Sequence, residues 1–179
     1  MSAGQSAPPG AASQPWRAPA VAMTHTVGAP RDHVWAALSN ADRLACWWCP
    51  SGAPLQAASL RFQPGGRFHY AARLPGGQPF WGRIVYRDIA APARIVFVNS
   101  FADAQGKVSR HPLNAHWPRY VHHTLALTER AEGTELHLVS RPVHATESEM
   151  HAFEQGQACL HRGFADAWAR LDAHLAVAP

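Results

Sequence analysis

The sequence predicts an α+β fold: a strongly curved antiparallel sheet of about six to seven strands, two short helices near the start, and a long C-terminal helix across the sheet. Three observations carry that expectation. Between Leu60 and Ser140 apolar residues recur at every second position over several runs, the period of half-buried strands. From Glu147 to Ala176 the period becomes three and four, that of a helix with one apolar face. The breaks between the strand runs are rich in Pro, Gly and Ala, as turns require. A curved sheet and a straight helix meet imperfectly, so an apolar, small-molecule-sized cavity is expected between them.

The elements follow in order. Residues 1–20 are a Pro/Ala/Ser/Gly tract with one aromatic and no periodicity. Such a tract buries too little surface to offset its ordering entropy, and it is expected to be a disordered tail. A single domain is expected over 21–177. Val21 to Val27 is a short β-prone run, and Pro30 suits the first position of a helix whose apolar face is Val34, Trp35 and Leu38. Asn40 can cap a second short helix carrying Leu44 and Trp47.

The centre reads as strand throughout. Leu60 and Phe62 alternate with Ser59 and Arg61 before the Pro64-Gly65-Gly66 turn. Phe68, Tyr70, Ala72 and Leu74 then alternate with Arg67, His69, Ala71 and Arg73, and Pro75-Gly76-Gly77 turns the chain again. Runs at Phe80 to Ile89 and Arg94 to Phe101 follow, and a loop around Gly106 to Pro118 precedes a last hairpin. In that hairpin Val121, His123, Leu125 and Leu127 face Leu136, Leu138 and Ser140. The closing helical stretch contains no Pro, so one uninterrupted helix from Glu147 to Ala176 is expected.

Composition narrows the function. Hydrophobic residues make up 47% of the 179 residues, the level of a globular chain. No apolar run approaches the ~20 residues of a membrane span, and no secretory signal is visible, so a cytoplasmic address is expected. The pI of about 9.4 invites a nucleic-acid reading. However, the sixteen basic residues are all Arg except Lys107 and are scattered along the chain, so no nucleic-acid partner is expected. Three cysteines cannot complete a disulfide framework, as in a reducing compartment.

Four stretches carry a family resemblance. They are APRDHVWAALSNADRLACWWCP from Ala29, LRFQPGGRF from Leu60, the long run from Phe80 to Pro118, and GFADAWARLDAHL from Gly163. The chain resembles the START-like (SRPBCC) superfamily, in the branch named for activators of the ninety-kilodalton heat-shock protein's ATPase. It departs from that branch at Cys49, where Gly is usual. The resemblance implies a helix-grip fold over roughly residues 20 to 176. It implies less about activity, because the superfamily includes lipid carriers, hormone receptors, polyketide cyclases and stress proteins, and fold does not dictate function.

Few constellations point to chemistry. Cys46-Trp47-Trp48-Cys49 has redox or half-zinc spacing, yet only Cys159 with His161 offers a second Cys/His pair. His111, His116, His122 and His123 fall in or beside one loop, without a metal-ligand spacing. No nucleophile elbow, phosphate loop or dinucleotide glycine pattern appears. No metal, cofactor or catalytic residue is therefore assigned. His123 stands apart, because strand parity puts it among apolar residues opposite Ser140.

The expected partner is an apolar or aromatic small molecule, held by Tyr70, Trp81, Ile84, His123, Phe153, Gln157, Leu160 and Phe164, with Phe68 beside them. Tyr70, His123 and Gln157 would supply polarity. A cyclase or dehydratase using a cavity His or Tyr is the second reading. A chaperone-contact module is the third and would show an exposed apolar patch. A homodimer is left open. Gly156 and Gly163 lie almost on one line along the edge of the apolar stripe, either for close packing or to leave space at a cavity mouth.

Overall fold

The computed structural model describes residues 19–48, 55–73, 77 and 79–177. All but the last two residues of the expected tail, Cys49, and most of the Pro75-Gly76-Gly77 turn lie outside these residues. Among the described residues eleven elements follow one another: β1 (Val21–Val27), α1 (Arg31–Ser39), α2 (Ala41–Trp47), β2 (Ala57–Leu60), β3 (Arg67–Arg73), β4 (Pro79–Ala90), β5 (Arg94–Ala102), β6 (Val121–Arg130), β7 (Gly133–Pro142), α3 (Glu147–Gln155) and α4 (Gln157–Val177). The strands form one antiparallel sheet in the order β1-β7-β6-β5-β4-β3-β2.

Local chemistry starts and stops the helices. The Asn40 side chain accepts hydrogen bonds from the backbone N–H groups of Asp42 and Arg43 and opens α2. Thr146 and Glu149 form a reciprocal capping box at the start of α3. Glu149 is buried there, and Arg110 from the long loop reaches it as an ion pair. Those hydrogen bonds and the Arg110 charge hold its carboxyl below the usual carboxylate range, although burial alone would raise it.

The helical stretch differs from expectation in one respect. It is interrupted at Gly156, so the long helix begins at Gln157 rather than Glu147. The loop before β6 comes close at this point: a side chain at position 156 would run into the indole of Trp117, so the position requires glycine. Trp117 also packs on Phe153, at 5.6 Å between ring centroids. α3 is thereby fixed to the loop, while α4 runs past α2, α1 and β1.

The core lies on the concave side of the sheet. Alternate residues of β4 to β7 are buried there, among them Phe80, Ile84, Ile95, Phe97, Leu125, Leu136 and Leu138. Trp47 from α2 is 1% exposed and donates its indole N–H to the Ala37 carbonyl at 3.1 Å. Burying an aromatic of this size contributes several kcal/mol, and the hydrogen bond keeps its one polar atom satisfied. Gly82 in mid-strand lets the Tyr70 ring lie against the backbone, since a side chain there would enter that ring.

Candidate functional site

A cavity of about 30 Å³ lies between the helices and the concave face. Leu38, Leu44, Trp47 and Trp48 wall it from α1 and α2; Ile84, Tyr86, Ile95, Phe97, Leu125 and Leu138 wall it from the sheet. Phe164 and Trp168 close it from α4. Its position is the expected one, but its volume is not. It has room for about two water molecules, whereas a pocket for a drug-sized ligand has ~300 Å³ or more. Aromatic rings take up the space. Trp47 meets Trp48 edge-on at 5.6 Å, Trp48 meets Phe164 at 6.2 Å, and Phe164 leans on Trp168 at 5.9 Å.

The polar group beside this apolar space is His123. The register of β6 against β7 sets it opposite Ser140, and its Nδ1 lies 2.8 Å from the Ser140 hydroxyl. Its ring stacks on Phe97 at 4.8 Å and meets Phe164 edge-on at 5.6 Å, both of which line the cavity. The residue is 1% exposed, and its Nε2 is buried with no hydrogen-bond partner. Burial, aided by the charge of His122, pushes its pKa down from 6.5 to about 3. The imidazole is therefore neutral at neutral pH, with one nitrogen satisfied and the other free. According to the tautomer, that free nitrogen donates or accepts. Burial also raises the phenol pKa of Tyr86 above its usual range.

The other expected site residues scatter. Ile84 and Phe164 line the cavity, and His123 touches it through its two ring contacts. Tyr70 is buried on the same side of the sheet, stacked on Phe68 at 4.8 Å, but it does not line this space. Trp81 must be corrected. It is an odd number of residues from Ile84 on β4, so it faces the outer side, where it stacks on His69 at 4.6 Å. Phe153 belongs to α3, ahead of the break at Gly156, is buried against Trp117 and does not line the cavity. Gln157 and Leu160 are half-buried in the first turns of α4 and do not line the cavity.

Sequence reasoning missed the wall supplied by α1 and α2. Trp47 and Trp48 mark the family motif, and their bulk was the available signal. Among the described residues no group of three or more His, Cys, Asp or Glu is gathered as a metal-ligand set. Cys46 is exposed and its thiol donates to the Asp42 carbonyl. No helix among the described residues is long and apolar enough to cross a membrane.

A curved antiparallel sheet closed by a long C-terminal helix, with two short helices at one end and an apolar interior between, defines a helix-grip protein of the START-like class. The sequence narrows this further. A family model described as activator of Hsp90 ATPase homolog 1-like protein matches residues 28–176, and the chain belongs to that family. A search of curated proteins found no match. Among solved structures, protein Ms6760 from Mycobacterium smegmatis superposes with a TM-score of 0.73 at 20% identity, covering 89% of this chain and 92% of its own. A protein from Arthrobacter aurescens gives 0.71 at 23% identity, covering 88% and 86%. DynU16, titled a putative protein in the dynemicin biosynthetic locus, gives 0.61 at 22% identity, covering 88% of this chain and 47% of its own. These similarities concern the fold.

Proposed function

We propose that the chain is a cytoplasmic carrier or sensor of an apolar or aromatic small molecule that bears one polar group. The observation that supports this reading is the buried, unpartnered Nε2 of His123 beside a cavity whose walls are otherwise apolar. Leaving such a nitrogen unbonded costs about 1–3 kcal/mol, which a ligand hydroxyl or carbonyl would recover. Entry requires the rings of Phe164 and Trp48 to part. Both are half-buried, and they meet beside the cavity where the end of α2 approaches α4.

Titration with two fluorescent probes, naphthalene and naphthol, tests the reading. Both should bind, naphthol more tightly. His123→Phe should weaken naphthol alone, by about fivefold to tenfold, the worth of one hydrogen bond. Failure of both probes to bind would end the carrier reading. An equal loss for both would end the role of His123.

The enzyme reading has one observation in its favour, the pairing of a buried imidazole with a serine hydroxyl. Its weakness is the low pKa of His123, which makes the ring a poor proton acceptor at neutral pH. An enzyme would keep binding but lose turnover in His123→Ala. A chaperone contact lacks comparable support. Among the described residues the exposed large apolar side chains are Leu113, in the loop before β6, and Val177, at the end of α4.

A further inference from the structure

The outer face of the sheet carries a separate arrangement. Strand register sets Arg67, Val85, Val98, His122 and Arg141 in one row across β3 to β7. On β4 that row is flanked by Arg83 on one side of Val85 and by Arg87, at the bulge between Tyr86 and Asp88, on the other. Tyr120 precedes β6 beside Ser100, which pairs with Arg83. Four arginines, one histidine and one phenol thus share this face with two valines. The carboxylates near this group are engaged elsewhere: Asp88 holds Arg94 at 2.7 Å, and Asp103 accepts from the backbone N–H groups of Gln105 and Lys107.

Arginine stems commonly cover apolar strand residues while their charged heads spread into solvent. Two facts separate this group from that ordinary role. The Nε of half-buried Arg83 is shielded from solvent and has no hydrogen-bond partner. The cationic groups are also near enough to act on one another. Burial comes first in lowering the pKa values of Arg83 and His122, and neighbouring arginines add to it, Arg67 and Arg87 for the first, Arg141 and Arg87 for the second. Like charges gathered round a partly dry guanidinium are unfavourable until an anion joins them. Arg67 pairs with Val85, and Arg83 and Arg87 stand two residues to either side of it, so these three charges can meet on one compact anion.

We infer that this face binds a phosphate-bearing small molecule, its oxyanion seated over Val85 and Val98 between Arg83, Arg67 and Arg87. Tyr120 donates a hydroxyl, and Arg141 with His122 closes the far side. The site lies on the opposite side of the sheet from the apolar cavity and does not depend on it.

Isothermal titration of the full chain with inorganic pyrophosphate, at constant ionic strength in chloride buffer, tests the inference. A short single-stranded RNA is titrated in parallel. Pyrophosphate should bind saturably, at least about tenfold more weakly to Arg83→Gln and to Arg87→Gln. Arg162→Gln, an exposed arginine on α4, should leave binding unchanged. Arg87 is exposed, so its variant serves even if Arg83→Gln fails to fold. Absence of saturable binding, an equal loss in Arg162→Gln, or RNA binding more tightly than pyrophosphate would each overturn the inference.

Discussion

His123 makes the protein sensitive to acid in a calculable direction. In the folded chain it resists protonation down to a pKa of about 3, whereas an unfolded histidine takes up its proton near 6.5. Between those values the unfolded state holds more protons. Stability is therefore complete above pH 6.5 and falls with pH toward 3, by about 1.4 kcal/mol per pH unit from this group. His111 and His122 are lowered too and act in the same direction. Urea unfolding at several pH values should show the loss, and His123→Phe should flatten it; equal slopes would mean that the ring is not held neutral. Trp47→Ala removes a ring that is 1% exposed and should cost ~3–5 kcal/mol in the same assay. At this scale strand parity made His123 and Ser140 legible, since facing strands must pair buried polar groups. The same rule, applied to β4, would have separated Trp81 from Ile84, because an odd spacing sends two residues to opposite faces.

The helical elements show how far periodicity reaches. A spacing of three and four continues through Gly156, so nothing in the pattern marks the break between α3 and α4. The glycine at the break faces Trp117, a loop residue from far back in the chain, which leaves no room for a side chain. The two glycines that sequence alone treats alike are consequently different. Gly156→Ala presses a methyl group into the Trp117 ring and should destabilise the protein by about 1–3 kcal/mol. Gly163 has nothing within 4 Å of an added Cβ, so Gly163→Ala should raise stability by as much as ~1 kcal/mol through helix propensity alone. Thermal melts of the two variants should move in opposite directions. Thr146→Ala should cost ~1 kcal/mol by opening the capping box of α3.

For the whole molecule, the order of strands and helices was readable because each element has its own period and the turns between them their own residues. The cavity walls were not, because seating α1 and α2 against the sheet is a matter of packing between distant segments, on which spacing is silent. Hence Trp47 and Trp48 stood out as a motif but not as the plug of the interior. Phe164→Ala should lower the melting temperature and yet bind naphthalene more tightly, since it removes one side of that plug. The sheet order has one more consequence. The first strand pairs with β7 alone, from Val21 opposite Ser140 to Val27 opposite Thr134, and the Thr134 hydroxyl reaches the Ala29 carbonyl 105 positions away. On the ribosome, β1 therefore waits with its apolar residues unpaired until β7, more than a hundred residues later, has been made. Trp168 and Asp172 of α4, which clasp His25, arrive later still. A later-made segment thus seals an earlier one, and a chain that stops before β7 leaves β1 without its strand partner.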